Sequence, residues 1–104
     1  MKLLVCALTF AATMATLTVT AAPAVAAVTG TVQVDGLRYR RCPQSLCDTM
    51  GQYVKGTIIH MVCYTRTNTT VLNGDPSWAK LTNGWWVALA GGAYVYWTDP
   101  LPPC

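Results

Sequence analysis

Three stretches decide how this 104-residue chain folds: Leu37-Arg38-Tyr39-Arg40-Arg41-Cys42-Pro43, Gly51-Gln52-Tyr53-Val54-Lys55-Gly56-Thr57 and Asn73-Gly74-Asp75-Pro76-Ser77-Trp78-Ala79-Lys80-Leu81. Each joins a short run of aromatic, β-branched or long apolar residues to Gly, Pro, Asn or Asp punctuation, which is the grammar of strands and turns. The same grammar continues outward, and no helical periodicity of useful length interrupts it. The chain therefore reads as all-β, with strands expected over residues 31–34, 37–41, 56–64, 78–82, 85–89 and 93–97. Side chains alternate across a strand, so Ile59, Met61 and Cys63 share one face of the third and are expected in the core. Ile58, His60, Val62 and Tyr64 share the other. Residues 65–76, with Asn68-Thr69-Thr70, Asn73-Gly74 and Pro76, suit a long exposed loop. Asn68-Thr69-Thr70 is also a glycosylation sequon, meaningful only in a glycosylating export pathway.

The three stretches, taken in order, resemble the bacterial-type SH3 (SH3b) family. The resemblance rests on an apolar-x-apolar-Arg opening that runs to Pro43, a Gly-x-x-x-Lys-Gly-Thr turn from Gly51 to Thr57, and a Trp-x-Lys-apolar strand at Trp78. It spans residues 31–97. Cys63-Tyr64-Thr65, Val71-Leu72-Asn73-Gly74, Trp86-Val87 and Tyr94-Val95 look like a subgroup of secreted microbial proteins, often attached to cell-wall hydrolases. Cys42 stands where the pattern has Gly, and Gly91-Gly92 breaks into the final strand pair. The resemblance implies a small SH3-like barrel that binds cell-wall polymer or peptide. It puts Trp78 and Tyr39 near the groove of that barrel.

The N-terminus is read independently. Lys2, an apolar and hydroxylic run from Leu3 to Thr20, and small residues at Ala24-Val25-Ala26-Ala27 form a secretory signal layout, with residues 1–27 removed on export. Five threonines dilute the run, so a membrane anchor of about 20 apolar residues fits less well. Export leaves residues 28–97 as one domain, too small for a second, and 98–104 as a Pro-rich tail. It also removes Cys6 and leaves Cys42, Cys47, Cys63 and Cys104, an even count for an oxidising compartment. Three pairings are possible. Geometry favours Cys42 with Cys47, pinning a loop, and Cys63 with Cys104, pinning the tail. The tail, Asp99 to Cys104, is expected as an extended polyproline-like clamp; a bolder alternative places it in the domain's own groove.

Chemistry beyond binding finds little material. Cys42, Cys47, His60 and Cys63 nearly match a zinc spacing, but export oxidises thiols, and His60 and Cys63 fall on opposite faces of their strand. No metal or other cofactor is expected. The chain has no Glu, one His and four Asp, all four in expected turns. A glycosidase needs two carboxylates facing across one bond, and a cysteine nucleophile needs a free thiolate paired with His; turn aspartates and paired cysteines offer neither, so no enzyme is expected. Without Lys2, six basic and four acidic side chains leave a net charge of +2, too little to argue for nucleic acid.

Aromatic surface is what remains in excess. Trp85 and Trp86 are adjacent, as are Tyr96 and Trp97, so alternation turns one of each pair outward. Rings with a polar edge bind sugars by stacking and peptides by packing. Tyr39, Arg41, Trp78, Trp85 and Tyr94 are the candidate ligand-binding residues, with Arg41 beside Tyr39 to meet a carboxylate. The expected protein is a secreted, monomeric binding module for microbial cell-wall polymer or peptide, with no membrane contact after export. The alternative is a stand-alone secreted effector or inhibitor that binds a protein partner.

Overall fold

The computed structural model describes residues 26–104; residues 1–25, which carry the export reading, lie outside the described residues. Strands β1 (Val28–Val32), β2 (Leu37–Arg40), β3 (Thr49–Tyr53), β4 (Ile58–Thr65), β5 (Trp78–Leu81), β6 (Trp86–Ala88) and β7 (Val95–Tyr96) follow in order, with a 3-10 turn at Ala90–Gly92 ahead of β7. They form one sheet, ordered β3-β2-β6-β5-β4-β1-β7, with every neighbouring pair antiparallel. The all-β expectation holds.

The sheet has one apolar face, and it closes that face by curling. Leu37 of β2 and Val32 and Val95 of β1 and β7 stand toward opposite ends of the strand order, yet they share one buried cluster with Ile59, Met61, Leu81 and Val87. Backbone bonds carry the β1–β4 ladder into the turn before β4: Val32 N–H donates to the Thr57 carbonyl (2.9 Å) and Gly56 N–H to the Val32 carbonyl (2.8 Å). Gly30 permits close packing across β1. A Cβ there would stand 2.8 Å from Val95 Cγ1 and 2.9 Å from Met61 Cε, inside van der Waals contact. In β4 the alternation is as expected, with Ile59, Met61 and Cys63 buried and Ile58, His60 and Val62 exposed.

All six expected strands form, with boundaries set by turns. β1 starts earlier than expected because Val28 already pairs with Met61. β4 starts later because Val54 to Thr57 closes a turn, with Thr57 N–H and hydroxyl both donating to the Val54 carbonyl. β7 shrinks to two residues because Ala93 N–H is taken by the Ala90 carbonyl in the 3-10 turn, where Gly91 and Gly92 have positive φ. The seventh strand, β3, is the one not expected. Thr49-Met50-Gly51-Gln52-Tyr53 lacks a β-branched run and has Gly at its centre. Gly51 is needed there: a Cβ would fall on the Tyr39 hydroxyl from the paired strand.

Both disulfides match the favoured pairing. Cys42–Cys47 joins Cα atoms 5.6 Å apart, and Cys63–Cys104 joins Cα atoms 4.8 Å apart across 41 positions. They indicate an oxidising environment, and they occupy three of the four residues of the near-zinc spacing. Among the described residues no group of three His, Cys, Asp or Glu is placed to hold a metal, and no helix is long and apolar enough to cross a membrane. The long bridge has a definite task. β1 covers β4 only from Ile58 to Met61, and beyond it the tail takes over: Tyr64 N–H donates to the Pro102 carbonyl (2.9 Å) and Cys104 N–H to the Tyr64 carbonyl (2.8 Å).

The chain-entropy model assigns about 4 kcal/mol to the long loop and about 2 kcal/mol to the short one. Denaturant unfolding of Cys104→Ser should therefore show roughly twice the loss found for the double variant Cys42→Ser/Cys47→Ser. Equal losses would contradict the tail's role as a staple.

Candidate functional site

A cleft of about 420 Å³ opens where β2, the ends of β5 and β6, and two loops meet. Its walls are Val34, Asp35, Gly36, Leu37, Arg38, Arg40, Ser45, Leu72, Trp78, Ala88 and Tyr94. Its volume lies within the range of small-ligand sites. β5 and β6 supply Trp78 and Ala88 as a cross-strand pair, and the end of β7's approach supplies Tyr94. β2 brings Arg38 and Arg40, and the disulfide loop and the 66–77 loop bring Ser45 and Leu72.

Thr70 holds those two loops together. Its carbonyl accepts the Trp78 indole N–H (2.8 Å), its N–H donates to the Pro43 carbonyl (3.3 Å) and its hydroxyl accepts the Ser45 N–H (2.8 Å). Gln44 Nε2 adds a bond to the Asn68 carbonyl (2.7 Å). At the loop's far end, Asp75 accepts Ser77 N–H (2.9 Å) and Gly91 N–H (2.7 Å), and Asn73 Nδ2 donates to the Ala90 carbonyl (3.1 Å). The stretch expected as a long exposed loop is thus bonded at both ends.

Charge in the cleft is unevenly committed. Arg40 Nη1 donates to the Cys47 carbonyl (3.0 Å) and to Thr49 Oγ1 (2.9 Å), which fixes its guanidinium. Asp35 Oδ1 accepts the Lys55 N–H (2.9 Å). Arg38 is exposed and has no side-chain hydrogen bond or ion pair among the described residues. A free guanidinium beside aromatic walls can receive a carboxylate or a run of carbonyls.

The five candidate residues divide. Trp78 and Tyr94 come together in the cleft. Trp78 is 1% exposed, so it supports the cleft from within the core. Tyr39 lies outside, stacked on Tyr53 with ring centroids 4.6 Å apart. A bulge between Tyr39 and Arg40 breaks the alternation that would set Arg41 beside Tyr39. Arg41 instead bonds through its backbone to Asp48 and approaches the Asp48 carboxylate at 3.9 Å, both exposed, a pair worth little. Trp85 sits half-buried in the β5–β6 turn, its N–H on Asn83 Oδ1 (2.9 Å). Trp86, beside it, carries Lys80 Nζ at 5.9 Å from its ring. Arg38 and Arg40, which line the cleft, are not among the sequence candidates, and Ser45 and Leu72 carry no signal of their own in the sequence. The tail lines no part of this cleft, so the alternative of a tail in this groove does not describe the structure.

No protein-family model matches the chain, and no curated protein matches it in sequence.

Two outcomes follow from this geometry. Trp78→Ala should cost about 3–5 kcal/mol in denaturant unfolding, whereas Trp78→Phe, which keeps most of the packing and loses the bond to Thr70, should cost about 1–2 kcal/mol. Partial burial pushes the Asp75 carboxyl up, but the Ser77 and Gly91 amides, the Ser77 hydroxyl and the charge of Arg66 outweigh it, and the net shift is downward from 3.8. A carboxyl lowered on folding stabilises fully above its ordinary value, and that stabilisation is lost as pH falls toward the folded value. Urea midpoints should fall with acid below about pH 4, more steeply for wild type than for Asp75→Asn.

Proposed function

We propose that this protein is a secreted, non-catalytic, SH3b-like binding module that holds microbial cell-wall polymer or peptide in the Arg38–Trp78–Tyr94 cleft. The observation that carries the reading is the cleft itself: a pocket of mixed polar and apolar walls with the Tyr94 ring, one fixed and one free guanidinium, bounded by loops that a disulfide and Thr70 hold in place. Preformed walls lower the ordering cost of binding. The strand path β7-β1-β4-β5-β6, with the β2–β3 hairpin inserted after β1 and a 3-10 turn before β7, is compatible with an SH3-like barrel and supports the family resemblance. The two disulfides support export. Three of the four aspartates have partners within the chain, Asp35 and Asp75 on backbone amides and Asp48 near Arg41, which suits the reading as a binder.

One observation favours a second reading, capture of a protein partner. Leu46, at the apex of the Cys42–Cys47 loop, is 96% exposed, and a rigid loop that presents a lone apolar side chain suits insertion into a partner's pocket.

Co-sedimentation of the oxidised domain with insoluble peptidoglycan, chitin and cellulose tests the proposal. Retention on one polymer is expected, weakened about tenfold or more by Arg38→Ala, a change at an exposed side chain, and by Tyr94→Ala, at a half-buried one. Leu46→Ala should leave it unchanged. Absence of retention on all three, or retention indifferent to both cleft variants, would refute wall binding through this cleft.

A further inference from the structure

A second cavity, of about 370 Å³, lies at the other side of the β5–β6 end and shares no lining residue with the first. Ser77 and Leu89 line it, while their chain neighbours Trp78 and Ala88 line the first, so alternation along the strands separates the two. Its other walls include Tyr64, Arg66, Asp75, Trp97 and Leu101. Leu101 belongs to the tail, held here by the Pro102 and Cys104 backbone bonds to Tyr64 and by the Cys63–Cys104 bridge. The tail therefore builds one wall of a cavity that the first reading of the site does not use.

We propose that this second cavity is a binding site for an uncharged N-acetylated sugar ring. The chemistry of the walls selects that class. Trp97 and Tyr64 offer half-buried aromatic rings against which the C–H face of a pyranose packs. Asp75 is oriented by two backbone amides, and each of its oxygens keeps capacity to accept a hydroxyl hydrogen. Arg66 is exposed and has no ion-pair partner within bonding distance among the described residues, so its guanidinium is available to a carbonyl. The opposite charges of Asp75 and Arg66 give the cavity no net pull on an anion or a cation, which suits a molecule without net charge that is rich in both donors and acceptors. An acetamide fits the remaining features, its carbonyl toward Arg66 and its methyl toward Leu101.

The site stands independently of what the first cleft binds. The test is a titration of the isotopically labelled, oxidised protein with the soluble trimer of N-acetylglucosamine, followed by amide and indole NMR shifts. Saturable shifts are expected at Arg66, Gly91, Leu101 and the Trp97 indole. Affinity should weaken about tenfold or more for Arg66→Ala, an exposed change that spares the fold, and for Cys104→Ser, which frees the tail. The glucose trimer, which lacks the acetamide, should bind more weakly by a similar factor. Three results would overturn the proposal: no saturable shift at these residues at millimolar sugar, an Arg66→Ala affinity equal to wild type, or equal binding of the glucose trimer. Shifts confined to Arg38 and Tyr94 would overturn it too, while leaving the first cleft's assignment intact.

Discussion

The bond from the Trp78 indole N–H to the Thr70 carbonyl links the core of this protein to its binding surface. Trp78 is packed against the interior of a curled sheet, and a buried indole N–H without a partner would cost about 1–3 kcal/mol. Thr70 supplies the partner and, through its own N–H and hydroxyl, holds Pro43 and Ser45 of the disulfide loop. One residue thus converts core packing into loop order. Ser45 and Leu72 stand in the cleft wall because of it, although neither lies on a strand.

The Cys63–Cys104 bridge solves a different problem with the same economy. β4 runs past the end of β1, and the strand groups left there need partners. The tail provides them at Tyr64, where Pro102, which cannot donate, is used through its carbonyl. Tying the last residue to the buried end of β4 fixes Leu101 against the core cluster. A seven-stranded sheet of this size has little core to spare, so the two bridges contribute a large share of total stability.

Much of the fold is legible in residue order because alternation is a strong signal. Ile58 to Cys63 assigns its own faces, and the Tyr and Trp runs mark β5, β6 and β7. β3 is illegible for a specific reason: Gly51 removes the propensity signal, and the cause of that Gly is the Tyr39 hydroxyl on the neighbouring strand. The site is half legible. Trp78 and Tyr94 are visible as aromatic candidates, but the bulge after Tyr39 redirects Arg41 toward Asp48, and a single irregular residue of that kind leaves no mark in the pattern. Arg40 is settled by bonds to Cys47 and Thr49, partners brought close by the short disulfide and the unexpected strand.

The central claim is that Thr70 couples the Trp78 core to the loops of the cleft. Hydrogen exchange of the Trp78 indole and the Ser45 amide, in wild type and in Thr70→Val, measures that coupling directly. Wild type should protect both groups, and the variant, which loses only the hydroxyl, should release Ser45 while Trp78 stays protected. If both groups exchange in wild type as freely as unstructured chain, the loops are not held and the account of the cleft is wrong.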